Sequence, residues 1–350
     1  MAPHHLMHRC LQLAARGLGT ATPNPVVGAV LVHEGRIIGE GFHHHPGGPH
    51  AEVVCVHSVA PEDAHLIADS MLYVSLEPCS HHGRTPPCTD LILGHRIKKV
   101  VVGCVDPYPE VAGTGIQRLR ESGVEVAVSV AEEECLFANR RFFTAHTKGR
   151  PYVVLKWAQT ADGFIGSGTE DRLMISGAQT CRTVHRWRSE EAAILIGKST
   201  ALLDDPSLTV RHWPGVHPLR VVVDRSGTLP QTLQVFTDGN RTLLLTESKN
   251  VKLPKPVQIE VLPQHSGVQQ VLEALHKQQV QSVLVEGGQQ VLQAFLDAGL
   301  WDEVRMITNT GLFAGSGVAA PKLPPVQPQE TTVMGTDTIH TFYQTEYFYS

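Results

Sequence analysis

The chain has 350 residues, which is enough for two domains of ordinary size. Its net charge is −5 and only 18% of its residues are charged, so bulk charge gives no indication of a nucleic-acid partner. No apolar run reaches transmembrane length, and the first residues lack the apolar core and cleavage site of a signal peptide. We therefore expect a cytoplasmic protein that binds neither membrane nor nucleic acid.

The first half of the chain alternates strand and helix patterns. An amphipathic helix is predicted within residues 1–17, followed by two strands that a turn at Glu34-Gly35 joins. The next predicted elements are a helix in "HAEVVCVHSV", a buried strand in "SMLYVSLEP", a helix with Thr89 as its N-cap, a buried strand in "KKVVVGCVDP", a helix in "GTGIQRLRESG" and a strand in "VEVAVSV". This order predicts a layered α/β domain that ends near residue 145.

A second α/β series follows the polar segment "HTKGRP", whose Gly and Pro are typical of a hinge. Strands are predicted in "YVVLKWA", "AAILIG", "LRVVVD", "TLLLT" and "SVLVEGG", and helices in "TCRTVHRWRSE" and "QQVLQAFLDAG". A proline-rich loop, "GVAAPKLPPVQPQE", precedes the last strands. We therefore place two domains at residues 1–147 and 148–350.

One histidine, one glutamate and two cysteines occur in an order that indicates a zinc site. His50 and Glu52 open a helix, and Cys79 and Cys88 follow the next buried strand. A disulfide framework is disfavoured because the chain carries an odd count of cysteines, 7, and no secretion signal. An imidazole and two thiolates can hold Zn²⁺ and leave the fourth position to water, whose pKa the metal lowers. Glu52 would be the catalytic proton shuttle beside the metal.

Two other interpretations of this cluster stay open at the level of sequence. A structural zinc would be closed by a fourth ligand, for which His81 and His82 are candidates, and the cluster could also hold no metal at all. His43 is close enough in sequence to line the same pocket. The remaining cysteines after residue 50 are expected to be ordinary buried or half-buried side chains: Cys55, Cys104, Cys135 and Cys181.

The segments around these residues closely resemble the family of bifunctional riboflavin biosynthesis deaminase/reductases. They are "ATPNPVVGAV", "GEGFH", "HAEV" and "LEPCSHHGRTPPC". The usual zinc deaminase signature has two residues between its cysteines, whereas the long loop "SHHGRTPP" found here is a mark of this family. The resemblance covers the whole chain and implies a cytidine-deaminase-like three-layer α/β domain followed by a dihydrofolate-reductase-like α/β domain.

The resemblance of the second domain rests on "PYVVLKWAQTADGFI", "ILIGKSTALLDDPSLTVR" and "VEGGQQVLQAFLDAGLWDEV". It implies a catalytic Lys156 and an NADPH cofactor that contacts Ala158, Met174, Thr200, Asp204, Gly288, Gln289, Gln290, Val291, Leu292, Gln293 and Ala294. Implied substrate contacts are Asn24 and His43 in the first domain and Arg172, Arg188, Leu208, Arg211 and Glu286 in the second. Arg172 and Met174 stand where family members usually have serine and tryptophan.

The function implied by the resemblance is two consecutive steps of riboflavin synthesis. The first is zinc-dependent hydrolytic deamination of a diaminopyrimidinone that carries a ribosylamino 5′-phosphate. The second is NADPH-dependent reduction of the ribosyl side chain to ribityl. The implied partner is therefore a small phosphorylated pyrimidine, with Arg84, Arg188 and Arg211 as possible phosphate anchors. A homo-oligomer with one zinc ion per chain is expected.

Two rival functions are weighed against this prediction. A deaminase of nucleic-acid bases should show a basic stripe interleaved with aromatic residues, and the acidic balance and the second α/β domain argue against it. The other rival is a deaminase whose second domain is structural or has altered specificity, which the changed segment "TEDRLMIS" leaves open.

Overall fold

The computed structural model describes residues 3–82, 85–107, 112–168 and 173–344. The chain folds as two compact units, residues 1–148 and 149–350. Among the described residues, no helix is both long and apolar enough to cross a bilayer.

Over the residues that the structure describes, the first unit contains one sheet and six α-helices. The helices are α1 (Pro3–Ala14), α2 (Ala51–His57), α3 (Cys88–Gly94), α4 (Thr114–Glu121), α5 (Glu132–Ala138) and α6 (Arg140–Thr147), with 3₁₀ turns at Ala15–Gly17 and Pro61–Asp69. The strands are β1 (Gly28–His33), β2 (Arg36–Phe42), β3 (Met71–Leu76), β4 (Lys99–Cys104) and β5 (Glu125–Ala127). The sheet order is β2-β1-β3-β4-β5, in which β1 is antiparallel to β2 and β3, and the last three strands are parallel.

Both faces of this sheet are buried. Side chains alternate along β1, so Ala29 and Leu31 pack in one core with α2, α3 and α4, whereas Val30 and Val32 pack in a second core with α1, α5 and α6. The sheet therefore lies between two helical layers, and the predicted three-layer α/β class is confirmed. The hairpin turn is confirmed as well, because Glu34 and Gly35 both have positive φ, at 45° and 80°.

Some predicted elements of the first unit differ from the structure. Helix α3 begins at Cys88 with Pro87 before it, so the prediction of Thr89 as an N-cap is wrong. The Thr89 side chain is instead buried inside the first turn. The predicted strand "VEVAVSV" is reduced to the three residues of β5, and α5 and α6 follow where no helix was predicted.

The second unit contains a large sheet with five α-helices among its described residues. The helices are α7 (Ala178–Glu190), α8 (Lys198–Asp204), α9 (Gln234–Thr237), α10 (Val268–Lys277) and α11 (Gln289–Asp297). The strands are β6 (Tyr152–Thr160), β7 (Phe164–Gly166), β8 (Ala193–Gly197), β9 (Leu219–Val223), β10 (Thr242–Thr246), β11 (Gln258–Val261), β12 (Ser282–Val285), β13 (Glu303–Asn309), β14 (Val318–Ala319), β15 (Glu330–Met334) and β16 (Asp337–Tyr343).

Nine of these strands form one sheet in the order β11-β10-β9-β8-β12-β6-β13-β16-β15, while β7 and β14 pair separately. The first seven strands in this order are parallel, and β16 and β15 add an antiparallel edge. One face packs against α10 and α11, and the other packs against α7 and α8. Helices on both faces explain why the strands are almost continuously apolar.

The strand order of this sheet creates a crevice between β8 and β12. From β8 the chain proceeds outward through β9, β10 and β11, and then returns to insert β12 between β8 and β6. In open parallel sheets, ligands bind at the carboxyl ends of the strands where the order reverses in this way. The carboxyl ends of β8, β12 and β6 are therefore where a ligand site is expected in this unit.

Candidate active sites

Three predicted metal ligands converge in the first unit. His50 lies directly before α2, Cys79 follows β3, and Cys88 is the first residue of α3. His50 Nδ1 lies 3.2 Å from Cys88 Sγ and 3.5 Å from Cys79 Sγ, and the three ligand atoms all lie within 4.8 Å of one another. Tetrahedral zinc, with Zn–S near 2.3 Å and Zn–N near 2.0 Å, requires N–S separations of about 3.5 Å. The donor types and spacings therefore fit this metal.

The electrostatics of this cluster favour a thiolate at Cys79. Its pKa is lowered to about 4, chiefly because Sγ accepts a hydrogen bond from the Cys88 thiol, with His50 contributing further. The backbone N–H of Cys88 also donates to Cys79 Sγ at 3.3 Å. The thiolate is the form that ligates metals, so Cys79 is prepared for cation binding by its surroundings.

Glu52 lies beside the cluster, in the first turn of α2, and its side chain is buried. The pKa of its carboxyl is raised, first by burial and then by the negative charge of Cys79. It shares a hydrogen bond with the Cys88 thiol. A buried carboxyl group with a raised pKa next to a metal-ligand set has the properties of a general acid and base.

His43 and Asn24 form a second polar pair near His50. The His43 ring packs edge-on against that of His50, with 5.5 Å between centroids. Its Nδ1 donates to the Pro49 carbonyl at 3.1 Å, because a carbonyl oxygen can only accept. Its Nε2 therefore accepts from Asn24 Nδ2 at 2.9 Å. Burial lowers the pKa of His43, which agrees with this neutral tautomer.

Charged side chains from three elements meet in the second unit, at the carboxyl end of β12. Glu286 accepts two hydrogen bonds of 2.8 Å from Arg188 of α7, and its Oε2 lies 3.5 Å from Lys156 Nζ of β6. All three side chains are largely buried, at 7%, 13% and 14% exposure. Burial alone would raise the pKa of Glu286, but the charges of Arg188 and Lys156 outweigh burial and lower it to about 2.

The glycines after β12 bring its turn close to β8. A Cβ on Gly287 would meet Ile196 Cα at 2.4 Å, so only glycine allows this approach. Gly288 has φ of 60°, and a Cβ there would meet Thr200 Oγ1 of α8 at 3.0 Å. The first turn of α11 therefore faces Thr200 across the β8–β12 crevice, and Asp204 follows one helical turn after Thr200 on α8.

Two family models match the chain, one in each unit. The cytidine and deoxycytidylate deaminase zinc-binding region matches residues 2–104, and the RibD C-terminal domain matches residues 151–339. The riboflavin biosynthesis protein RibD of Aquifex aeolicus is 40% identical over 304 residues, which cover 85% of this chain and 84% of that protein. The Escherichia coli protein of the same name is 35% identical over 322 residues, with coverages of 87% and 86%.

Solved structures give the same result. A Thermotoga maritima diaminohydroxyphosphoribosylaminopyrimidine deaminase/5-amino-6-(5-phosphoribosylamino)uracil reductase is 38% identical, with a TM-score of 0.89 and coverage of 97% of this chain and 98% of that one. Acinetobacter baumannii RibD is 32% identical, with a TM-score of 0.86 and coverages of 98% and 99%. The chain belongs to the RibD family. The predicted family, fold class and bifunctional deaminase and reductase function are thereby confirmed, and no match favours a deaminase alone.

The RibD-family zinc region contains contacts that were not predicted from sequence. His50 Nε2 lies 3.3 Å from Thr85 Oγ1, on the side of the ring away from the sulfur atoms. Glu77 is buried, and its carboxylate accepts backbone N–H groups of the loop before α4 and of its first turn, among them Gly113 and Gly115 at 2.9 Å each. The sequence signal that could have identified Glu77 is an acidic residue between a buried strand and the dipeptide "PC". Neither candidate fourth ligand, His81 or His82, belongs to the described ligand cluster, and both are exposed.

The predicted substrate residues of the reductase domain are only partly brought together. Arg188 and Glu286 are in contact, and Arg211 is exposed, with its guanidinium bonded to Ser207 and to Thr209 Oγ1. Leu208 is only 2% exposed and packs in the core, so any ligand contact there would use its backbone, which has φ of 54°.

His185 of α7 was missed among these residues. It is buried, and its Nδ1 accepts the backbone N–H of Arg211 at 3.0 Å. Burial, with the positive charges of Arg188 and Arg211, lowers the pKa of His185 to about 4. A neutral His185 therefore fixes the backbone of the loop that carries Arg211.

The predicted cofactor residues differ in where their side chains lie. Ala158 is half-buried on the same sheet face as Lys156, two residues further along β6. Leu292 is buried in the core. Gln293 donates a hydrogen bond to Asp297 and accepts one from the Lys322 N–H, so both side chains already have partners within the domain. Met174 is 71% exposed.

Two predicted sites lie outside the described residues, and a cysteine differs from expectation. Arg172, predicted to contact substrate, and Arg84, predicted as a phosphate anchor, both lie outside the described ranges. Cys55, Cys104 and Cys135 are buried as expected, whereas Cys181 is exposed.

Proposed function

We propose that residues 1–147 deaminate a diaminopyrimidinone carrying a ribosylamino 5′-phosphate, and that residues 148–350 reduce the ribosyl side chain of the product with NADPH. The observation that carries this proposal is the convergence of His50, Cys79 and Cys88 beside the buried Glu52. The activities named for the Thermotoga maritima relative support this choice of substrates.

Zinc would be held by His50 through Nδ1 and by Cys79 and Cys88 through Sγ. When bound, the ion supplies a Lewis acid that makes water nucleophilic near neutral pH. Glu52 then has the proton-transfer role, because its buried carboxyl can accept a proton from the nucleophile and donate it to the departing ammonia. The raised pKa of Glu52 brings its protonation equilibrium closer to neutral pH, where this exchange is most efficient.

Asn24 and His43 would orient the pyrimidine. Because Asn24 Nδ2 donates to His43 Nε2, the orientation of the Asn24 amide is fixed. Its Oδ1 can then accept a hydrogen bond from an amino group of the substrate. His43 is itself held by the Pro49 carbonyl, so the pair is preorganised before a ligand binds.

In the reductase domain, NADPH would supply the hydride when bound, and Lys156 would supply the proton. The Lys156 ammonium can donate to the ribosyl oxygen as the ring opens, because Glu286 holds it near the end of β12. Glu286 engages Arg188 bidentately at the same time, so it positions both cations. Arg211 is exposed and is therefore a better candidate than Arg188 for binding the substrate phosphate.

The proposal is tested by three measurements on the wild-type chain: zinc per chain, ammonia release from the pyrimidine substrate, and substrate-dependent NADPH oxidation. We expect one zinc and both activities. Lys156→Ala should reduce NADPH oxidation by about 10²–10⁴, the usual contribution of a positioned acid, while ammonia release continues unchanged. Ammonia release without any NADPH oxidation in the wild type would contradict the reductase half of the proposal.

The same proposal includes a homo-oligomer in the cytoplasm. Light scattering coupled to size-exclusion chromatography measures the oligomeric state directly, and a monomeric mass of about 38.2 kDa would contradict it.

A further inference from the structure

A cysteine and two histidines meet on one face of α7 in the second unit. Cys181 and His185 are four residues apart on this helix, so their side chains lie one turn apart on the same face. His212 lies in the loop between α8 and β9, and its ring packs edge-on against that of His185, with 4.7 Å between centroids. One potential ligand atom from each residue lies within 4.8 Å of the other two. We call these three residues the α7 cluster.

The donor set of the α7 cluster fits zinc. A thiolate and two imidazoles are ligands that Zn²⁺ readily takes, and three protein ligands leave the fourth position of the tetrahedron to water. Donor atoms in such a site are separated by about 3.5 Å, so the cluster would have to close by at most about 1 Å. Cys181 and His212 are exposed, so their side chains can turn towards the ion without disturbing a core.

The loop that carries His212 is already attached to α7. The ring of Trp213, the next residue, lies under the guanidinium groups of Arg182 and Arg186, whose carbons are 5.6 Å and 5.9 Å from its centroid. Both arginines belong to α7. His212 is therefore held beside the helix by its neighbour, and an ion would not have to recruit it from a distant position.

A metal ion at His185 would compete with one hydrogen bond. The Nδ1 atom of His185 accepts the Arg211 N–H at 3.0 Å, so the single hydrogen of the neutral ring is on Nε2. An ion at Nδ1 would displace that N–H. An ion at Nε2 would require the hydrogen to move to Nδ1, which could then no longer accept. In either case the ion and the hydrogen bond to Arg211 exclude one another.

Neighbouring charges reduce the affinity of the α7 cluster for a cation. Arg188 and Arg211 place positive charge close to His185, and the pairing of Arg188 with Glu286 offsets only part of it. Together with the lost hydrogen bond, these charges should make zinc binding reversible. Dialysis should therefore empty the α7 cluster and leave the ion of the first unit in place.

We propose that Cys181, His185 and His212 bind a second zinc ion, and that this ion releases the loop that carries Arg211. The Cys181 thiol loses its proton to solvent as the Zn–S bond forms. Because Arg211 is the proposed anchor of the substrate phosphate, zinc at the α7 cluster should inhibit the reductase by raising its KM. This inhibition rests on the proposed function, whereas the metal site does not.

The metal site is tested by isothermal titration of the dialysed full-length protein with zinc sulfate. The wild type should bind one further zinc ion per chain. Cys181→Ser and His212→Gln should each weaken this binding by about 100-fold or more, because loss of an outer contact alone typically costs about 10- to 100-fold. His276→Gln changes an exposed histidine in the last turn of α10 and should bind as the wild type does. A wild type that takes up no second zinc, or two cluster variants that both retain it, would overturn the site.

Thiol modification locates the second ion. Cys181 is exposed, whereas the other six cysteines are buried or half-buried, so an aromatic disulfide reagent should react with Cys181 first. Zinc should slow this reaction in the wild type and not in His212→Gln. Equal reaction rates with and without zinc in the wild type would place the ion elsewhere.

Substrate-dependent NADPH oxidation measures the coupling to Arg211. Saturating zinc should raise the KM for the pyrimidine substrate by about tenfold in the wild type, the factor that a charge-assisted hydrogen bond typically contributes. The KM of Cys181→Ser should not respond. A second zinc bound without a change in KM would overturn the release of the loop. A wild type without NADPH oxidation would contradict the proposed function, and the titration and the thiol reaction would still decide the metal site.

Discussion

The two candidate active sites are assembled on different physical grounds. The first domain brings together His50, Cys79 and Cys88, whose side chains share an affinity for one soft cation. The second domain brings together Glu286 and two cations, Arg188 and Lys156, which bind one another. Substitution of a residue in the first site should therefore remove a candidate metal ligand. Substitution in the second site should leave a buried charge without its partner.

This difference also affects how each site depends on the rest of its domain. The three candidate zinc ligands lie next to element ends within one stretch of the chain, residues 50–88. They are linked by local hydrogen bonds such as that from the Cys88 N–H to Cys79 Sγ. The charged residues of the second site come from β6, α7 and the end of β12, so they meet only after the sheet is ordered. Loss of metal should thus spare the fold of the reductase domain.

The largest effect is expected from Cys79→Ser. A hydroxyl is a far poorer zinc ligand than a thiolate, so zinc should fall from one per chain to near none and ammonia release should disappear. Metal analysis after dialysis measures this, and NADP⁺ binding should persist because it belongs to the other domain. Cys181→Ser, which changes an exposed cysteine, is the control and should keep its zinc. A zinc-replete Cys79→Ser protein would show that the ligands have been assigned wrongly.

Glu52→Gln should have the next largest effect. The amide keeps the shape of the side chain but cannot accept a proton, so ammonia release should fall by about 10²–10⁴. Zinc content and NADPH oxidation should be unchanged, which separates this variant from Cys79→Ser. Glu134→Gln alters an exposed glutamate in the same domain and serves as the comparison. Near-normal ammonia release from Glu52→Gln would mean that another group transfers the proton, with His43 the first to examine.

A zinc site could be proposed from the sequence, and the structure brings its three predicted ligands together, because the chemistry of such a site restricts both residue type and order. Few side chains ligate zinc, and an H-x-E followed by two cysteines leaves little choice of roles. The second site offered no such restriction. Arg188 and Glu286 are 98 residues apart in the chain, and they meet because β12 inserts between β8 and β6. Hydrophobic periodicity identifies strands, but it does not give their order in a sheet.

Helices α10 and α8 were not predicted from the sequence, for different reasons. In α10, Val271, Leu272 and Leu275 are buried at a helical spacing, so the amphipathic pattern was present in the sequence. In α8, Leu202 and Leu203 are 45% and 65% exposed, so no apolar face marks this short helix. The helix directly follows β8 and borders the crevice, so its place depends on the strand order of the sheet.

Glu286→Gln tests the claim that the second site is bound together by its own charges. The pKa of Glu286 is about 2 in the folded protein, below an unfolded value of about 4.3. Its contribution is therefore present above about pH 4.3 and is lost as pH falls towards 2, an effect of about 3 kcal/mol. The variant should unfold more easily at neutral pH, by a similar amount, because two buried cations lose their partner.

Thermal unfolding of the full chain between pH 2 and pH 7 measures this effect, with the reductase transition followed by its response to NADP⁺. The variant should depend less on pH than the wild type over the acid range. Glu273→Gln removes an exposed carboxylate of α10 and should follow the wild-type curve. Superimposed curves for the wild type and Glu286→Gln would show that the ion pairs contribute nothing to the stability of the folded state.

The smallest effect is expected from Thr85→Val, which sharpens the account of the zinc site without removing a ligand. When His50 ligates through Nδ1, its Nε2 carries a hydrogen that Thr85 Oγ1 can accept at 3.3 Å. Such outer contacts fix the ring orientation, and their loss typically costs about 10- to 100-fold in metal affinity. Because the contact is long, we expect about tenfold, measured by competition with a zinc chelator. Thr20→Val, whose hydroxyl bonds a carbonyl away from the cluster, should keep wild-type affinity. If Thr85→Val and the wild type lose zinc at the same chelator concentration, the ring of His50 is held by Cys79 and Cys88 alone.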